Sequence, residues 1–452
     1  MHSLTHHMRA HLRLGLPLIG SHIAQLSITL TDAMMLGWYD VETLGAQVLA
    51  SEVFFVLFIF GSGFALAVMP MVASAEAAGD GAQVRRVTRM GAWASVLFGL
   101  AILPVFLSGR AMFLALGQEP LIADLGGAYL AIAGFGIIPA LLVMVLKSFL
   151  SALERTQIVL WVTVGAVGLN MVLNYALIFG NWGMPELGIR GAAIASVAVN
   201  TASFLALALY AARKTPEHAL FQRVWRPDWE AFGQVFRLGA PIGVTMLAES
   251  ALFMASSIMM GWISALALAA HGIALMIASV TFMLYLGLAN AATVRAGQAW
   301  GLRDIANLRQ GAKAVTLLVG GIAVVTVTIF LTMPEPLIIL FMDPDEPNRE
   351  AVLAMGVVLM AGAALFQFMD AAQALALGLL RGVHDTKVPM WIAAFSYWCV
   401  GVTASYVLGF TLDLGGIGIW LGLAIGLAFA AVLLMGRFWI WTARSDRMAA
   451  VG

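Results

Sequence analysis

The sequence predicts an all-α, polytopic membrane protein of 12 transmembrane helices, arranged as two parallel six-helix repeats. Three observations carry this. Of the 452 residues, 62% are hydrophobic and 11% charged, with a mean hydropathy of +0.94, whereas soluble domains carry about 25% charge. Apolar stretches near or above the roughly 20 residues needed to cross a bilayer recur along the whole chain. The chain also repeats itself, because Arg13-Leu-Gly-Leu-Pro17 returns near the midpoint as Arg237-Leu-Gly-Ala-Pro241.

The first repeat supplies stretches at 14–38, 48–73, 90–112, 127–150, 158–180 and 190–212. The second supplies 235–263, 266–294, 312–333, 351–378, 388–411 and 416–441. The alignment between repeats holds along the chain. Met35, Gly37 and Trp38 fall on Met259, Gly261 and Trp262, and Leu44 and Ala46 on Leu268 and Ala270. Later, Thr156 and Trp161 match Thr386 and Trp391, and Gly188 and Gly191 match Gly415 and Gly418. This divides the chain into an N-lobe at 1–212, a linker at 213–234 containing Pro216 and Pro227, and a C-lobe at 235–452. An even number of spans returns the chain to its starting side. The repeats therefore sit the same way up, related by an axis along the membrane normal, as suits alternating access.

The first stretch follows Arg9 and Arg13 but is too long for a signal-peptide core, carries Asp32 and has a counterpart in the second repeat. Pro17 and Pro241 are expected to begin the first helix of each half, where proline is tolerated. Pro17 lies on the same helix as Asp32, so a bend there is expected to respond to the charge of the acid. Trp38, Trp161, Trp262, Trp391, Trp439 and Trp441, near span ends, read as interface anchors. The single cysteine, Cys399, lies in a predicted span and has no internal disulfide partner.

With the N-terminus on the cytoplasmic side, 21 of the 24 Lys and Arg residues fall on that side, and only Arg110, Arg190 and Arg349 fall outside. This asymmetry places both termini in the cytoplasm. The acidic residues Asp343, Asp345, Glu346 and Glu350 lie on the outer side, where a solvated loop is the simplest reading. The formal net charge of +0 therefore conceals a sided distribution. The cytoplasmic positives are accounted for as topology determinants, and nucleic acid is not an expected partner.

Chemistry is expected at ionisable residues inside spans, because a carboxylate at the bilayer centre costs roughly 2.5–3.5 kcal/mol on insertion scales. Asp32, Glu249 and Asp370 qualify, while Glu52 lies near an interface and reads as solvated. No Lys or Arg is expected near a span centre to pair with these acids, so protons, metal ions or a cationic substrate must balance them. Across the repeat Glu249 falls on Gln25, and Asp32 on Ser256. Around Asp32 the polar set comprises Gln25, Thr29, Asn170, Asn174 and Ser196; around Asp370 it comprises Gln367, Gln373 and Glu249. Oxygen donors alone favour Na⁺, or a proton held on a carboxylate. The amides also suit interhelical packing. His22 and His271 read as helix contacts, and the methionines from Met34 to Met369 offer an adaptable lining or ordinary span filler.

An intramembrane enzyme would need a DDxxD or HExxH motif or a Ser/His pair in facing spans. Neither motif occurs, and His22 and His271 have no evident nucleophile. A receptor or scaffold leaves the buried acids unexplained.

Thr31-Asp32 followed by Met35-Leu36-Gly37, Glu249 in span 7, and Asp370-Ala-Ala-Gln373 followed by Leu380-Arg381-Gly382-Val-His-Asp385-Thr386-Lys387 resemble the multidrug and toxic compound extrusion (MATE) transporters, and within them the bacterial NorM-like branch. The resemblance covers nearly the whole chain. It implies two six-helix bundles forming a V around a central cavity, in a bacterial inner membrane, with cytosolic termini and a monomeric state. It also implies export of cationic or amphipathic drugs against Na⁺ or H⁺ entry, with no cofactor besides the coupling ion. By position, Glu249 and Asp370 correspond to the C-lobe cation site, where Na⁺ would bind. Asp32 with Asn170, Asn174 and Ser196 corresponds to the N-lobe site; Gln25 and Pro17 on the helix of Asp32, and Gln367 and Gln373 beside Asp370, are the expected supporting residues. One position departs: branch members can carry Tyr where this chain has Phe366, which removes an oxygen ligand and leaves the ion open. The alternative is a lipid-linked oligosaccharide flippase of the same superfamily. Such a protein would be expected to line its cavity with basic residues, and this chain lacks them.

Overall fold

The structure is a computed structural model describing residues 3–342 and 348–442. Asp343, Asp345 and Glu346 of the expected outer acidic cluster, and Arg444 and Arg447, lie outside the described residues. The described chain is helical throughout: α1 (Leu4–Tyr39), α2 (Val41–Ala77), α3 (Gly81–Leu107), α4 (Gly109–Ala115), α5 (Pro120–Ala133), α6 (Ile137–Ala152), α7 (Thr156–Phe179), α8 (Ile189–Lys214), α9 (Trp229–Ile263), α10 (Ala265–Gly301), α11 (Ile305–Thr332), α12 (Pro334–Phe341), α13 (Arg349–Gly382), α14 (Lys387–Phe395), α15 (Thr403–Tyr406) and α16 (Gly415–Gly436). Among the described residues, 12 helices are long and apolar enough to cross a membrane. The fourth joins α5 to α6 through a short 3₁₀ turn, and the eleventh joins α14 to α15 through π-type turns. The chain is a multi-pass membrane protein.

Local signals explain where helices begin, and the repeats share them. The Asp40 side chain accepts a hydrogen bond from the Thr43 backbone N–H and starts α2; Ser264 does the same for Ala267 and α10. Asp80 caps α3 through Gln83 N, and Asp304 caps α11 through Asn307 N. Such caps satisfy donors that a helix start leaves unpaired.

Pro17 and Pro241 do not begin their helices. Both lie inside continuous helices, α1 and α9, whose first turns are more polar than the apolar stretch that marked each span. A proline inside a helix removes one backbone hydrogen bond and favours a bend.

The chain packs as two compact units, one comprising Gly20–Gly243 and the other α1 as far as Ile19 with the chain from Val244 onward. The repeat boundary expected at 213–234 is thus not where packing divides the chain, because the first part of α1 packs with the second repeat and the first part of α9 with the first. Close helix contacts account for this. A Cβ on Gly63 of α2 would lie 2.5 Å from Gly239 O and Gly243 N of α9. In the other unit, a Cβ on Gly287 of α10 would lie 2.8 Å from Ile19 N of α1. Glycine at each contact lets two backbones touch.

Gly188 and Gly415 adopt φ of +52° and +60°, the left-handed region that other residues enter at a cost. Three residues on, Gly191 and Gly418 press onto the preceding helix: a Cβ would meet Leu177 O at 2.3 Å and Leu408 O at 2.6 Å. The two glycine pairs that matched between repeats build the same turn twice. Trp38, Trp161, Trp262 and Trp391 all keep more than half their surface exposed, as membrane-interface anchors do.

Candidate cation-binding sites

In the Gly20–Gly243 unit, the site is assembled from α1, α7 and α8. Asn170 and Asn174 are one turn apart on α7 and so share a face. Asp32 of α1 is buried, and its Oδ1 accepts hydrogen bonds from Asn170 Nδ2 at 2.9 Å and Asn174 Nδ2 at 2.6 Å. Ser196 Oγ of α8 lies 3.5 Å from Oδ2. Asn174 Nδ2 also reaches Asn170 Oδ1 at 3.3 Å. The asparagines therefore turn N–H groups, rather than oxygens, toward the carboxylate. Asn174 Oδ1 is buried with no hydrogen-bond partner among the described residues, which leaves an unmatched acceptor beside Asp32.

The sequence reading missed the extension of this site. Tyr129 of α5 lies near Ser196 and near Gln47 and Ser51 on α2, and within electrostatic reach of Asp32. Gln47 Nε2 in turn donates to Ser51 Oγ at 2.9 Å. The signal was present in Gln47 and Ser51, polar residues four apart in an apolar span. Gln25 and Thr29 remain exposed, and no hydrogen bond joins them to Asp32 among the described residues.

In the other unit, Glu249 of α9 and Asp370 of α13 lie within electrostatic reach of one another. Asp370 is 2% exposed, and its Oδ1 has no hydrogen-bond partner among the described residues. Gln373, one turn along α13, donates from Nε2 to the buried Tyr397 hydroxyl and leaves its own Oε1 without a partner. Gln367 faces away. Its amide donates to Ala278 O at 2.8 Å and Thr281 Oγ1 at 2.5 Å on α10, so it ties two helices together.

Two residues were overlooked here. Tyr397 interacts electrostatically with both acids. Arg381, eleven residues beyond Asp370 on α13, lies within electrostatic reach of Glu249, although it stands at the helix end and not near a span centre. The reason is geometric: α13 runs on to Gly382, and a long side chain at its end can reach inward. No Lys or Arg comes within salt-bridge distance of Asp32, Glu249 or Asp370 among the described residues.

Phe366, where an oxygen ligand was expected to be missing, packs edge-on against Trp420 and Phe253 at ring separations of 5.3 and 5.8 Å. His271 is fully buried with Nε2 3.2 Å from Ser256 Oγ, a contact between neighbouring helices as anticipated. Among the described residues no three His, Cys, Asp or Glu side chains converge. Each site thus offers one or two carboxylates among amide and hydroxyl groups.

Comparison with known proteins agrees with this fold. The MatE family profile matches residues 17–176 and 241–407, one copy in each repeat. A "Probable multidrug resistance protein NorM" of Rhizobium meliloti is 48% identical over 96% of this chain and 93% of its own length. A "Multidrug resistance protein NorM" of Burkholderia vietnamiensis is 34% identical over 97% of this chain and 95% of its own length. Among solved structures, the eukaryotic MATE transporter AtDTX14 superposes with a TM-score of 0.86 at 18% identity, covering 99% of this chain and 98% of that one. An outward-facing multidrug resistance MATE family transporter gives 0.88 at 20% identity, covering 97% of each chain. At those identities the structural likeness speaks for the fold alone. The family match spans both repeats and the relatives align over nearly their whole length, so the chain belongs to the MatE family of membrane transporters.

Proposed function

We propose that this chain is a cation-coupled antiporter that exports cationic and amphipathic compounds across the cytoplasmic membrane by alternating access, with both termini in the cytoplasm. One observation carries the reading. Each repeat contributes a buried carboxylate site, held by neutral donors at Asp32 and without a hydrogen-bond partner at Asp370 Oδ1, with no basic residue at salt-bridge distance among the described residues. A carboxylate buried that way is costly unless a cation or proton accompanies it. The relatives named multidrug resistance proteins support the substrate class.

The mechanism follows from competition. Drug enters from the cytoplasmic side and exploits the negative charge of a buried acid. An ion arriving from outside occupies the same acid, weakens drug binding and favours return of the inward-facing state. In the α9–α13 pair, Glu249 and Asp370 repel each other, and Arg381 offsets part of the charge. One entering Na⁺ or proton relieves the remainder. At Asp32 the three donors hold the acid in place, and Asn174 Oδ1 supplies a neighbouring acceptor.

The test is ethidium efflux from cells or inverted vesicles carrying wild type or Asp370→Asn, in sodium-free buffer and after Na⁺ addition, with and without a protonophore. Na⁺ stimulation that survives the protonophore and vanishes in the variant identifies sodium coupling. Efflux indifferent to Na⁺ but abolished by the protonophore identifies proton coupling. Absence of any efflux removes the multidrug reading.

A further inference from the structure

The segment between α8 and α9 is fastened along α3. At spacings of three and four, α3 presents Arg86, Arg89 and Trp93 on one side. Arg86 donates through Nε to Asp228 at 2.5 Å and through Nη2 to Asp228 at 3.1 Å and Glu230 at 2.8 Å. Arg89 Nη1 donates to the carbonyls of Gln222 and Arg223 at 2.8 and 3.2 Å, and Trp93 Nε1 to that of Val224 at 2.8 Å. Trp93 lies about 18 Å along α3 at about 1.5 Å per residue, past the point where its apolar stretch begins near residue 90. Val224 is therefore held level with the start of the apolar part of α3.

What the segment displays at that depth is aromatic and basic. Trp225, Trp229 and Phe221 are 76%, 68% and 44% exposed, and Arg223 and Arg226 are exposed beside them. Arg223 takes a φ of +52°, a left-handed turn stabilised by the Arg89 contact to its carbonyl. Asp228 and Glu230 neutralise Arg86. Arg85 and Arg226 each lie within electrostatic reach of Arg89, where Asp228 offsets only part of the charge. No carboxylate comes within salt-bridge distance of Arg85, Arg89, Arg223 or Arg226 among the described residues. Exposed indoles flanked by gathered guanidinium groups match the chemistry of a membrane interface, with rings at the headgroup level and arginines on lipid phosphates.

We infer that Phe221–Trp229, together with Arg85 and Arg89, forms a docking surface for an anionic phospholipid of the cytoplasmic leaflet. The leaflet follows from the proposed orientation. The phosphate relieves repulsion among the arginines, while Trp225 and Phe221 meet the upper acyl region. A phosphatidylglycerol headgroup supplies net negative charge that phosphatidylcholine lacks.

Native mass spectrometry of the full chain in detergent, titrated with phosphatidylglycerol, phosphatidylcholine or inorganic phosphate, tests the inference. Wild type is expected to prefer phosphatidylglycerol. An Arg85→Gln, Arg223→Gln, Arg226→Gln variant should lose that preference by roughly fivefold for each arginine removed, following about 1 kcal/mol per basic residue near an anionic surface, whereas Lys at the same positions retains it. An unchanged preference in the Gln variant overturns the inference. So does displacement of the lipid by millimolar phosphate, which would mark a soluble-anion site. Independently of those variants, Trp225→Ala is expected to reduce quenching of protein fluorescence by brominated phosphatidylglycerol. Equal quenching in wild type and Trp225→Ala refutes the placement of this segment at the interface.

Discussion

Asp32 accepts hydrogen bonds from two amides and faces a hydroxyl, and that geometry makes its isosteric substitution informative. In Asp32→Asn an NH₂ replaces one oxygen, so one orientation opposes donor to donor and the charge is lost in either. Under the proposed two-site mechanism, efflux is expected to fall at least as far as in Asp370→Asn; intact efflux in Asp32→Asn confines coupling to the α9–α13 pair. Asn174→Ala is expected to be milder. It removes the 2.6 Å bond, and a hydrogen bond to a charged group contributes about 1.5–3 kcal/mol. That corresponds to a roughly ten- to hundredfold weaker competition between ion and drug, read as a shift in the half-maximal ion concentration for efflux. The three acids were legible because a carboxylate inside an apolar run has few structural uses, and Asn170 and Asn174 because they share a helix face. Tyr129 and Tyr397 were not, since tyrosine is unremarkable in a span until its hydroxyl is seen among polar groups. Arg381 was read as a cytoplasmic positive and as part of the motif that follows Asp370, not as a neighbour of Glu249.

At the scale of single elements, repeated glycines announced a structural role without revealing which one. Their spacing was visible, but only the folded chain shows that Gly188 and Gly415 turn the backbone and that Gly191 and Gly418 press onto Leu177 and Leu408. Because the atoms opposing a Cβ are backbone, they cannot yield by changing rotamer. Gly191→Ala and Gly418→Ala are each expected to destabilise by about 1–3 kcal/mol, the usual range for overpacking, measured as lower apparent melting temperatures in detergent. Gly45→Ala, with no atom within 4 Å of the added Cβ, serves as the neutral control.

The strap on α3 gives a pH-dependent counterpart. The Arg86 guanidinium beside Asp228 holds that carboxyl below its ordinary range. A carboxyl whose folded pKa is depressed contributes stability above its unfolded value near 3.9 and loses it as pH falls through the folded value. Asp228→Asn is therefore expected to lower the melting temperature at pH 7, by an amount corresponding to about 1 kcal/mol for a partly exposed pair. The gap between wild type and variant should close progressively below about pH 4. A gap that persists unchanged at pH 3 assigns the effect to packing instead of charge.

For the whole molecule, duplication was the most legible property, because composition, span count and echoed motifs all pointed the same way. The exchange of helix ends between packing units was invisible, since it depends on backbone contacts at Gly63 and Gly287 that no local pattern encodes. Duplication also bears on energetics, because a carboxylate site in each repeat permits two ions to enter for each drug released. Exchange of one ion for one monovalent drug is electroneutral and indifferent to membrane potential. Exchange of two ions for one such drug moves one net charge inward, which gains about 2.3 kcal/mol per 100 mV. That gain steepens the attainable drug gradient by roughly fiftyfold per 100 mV, since 1.4 kcal/mol is tenfold. If both sites load, ethidium uptake into proteoliposomes whose potential is set by valinomycin and potassium should change steeply with potential at fixed ion gradients. Substituting either Asp32 or Asp370 should abolish that dependence, whereas a wild-type rate independent of potential would limit the cycle to a single ion.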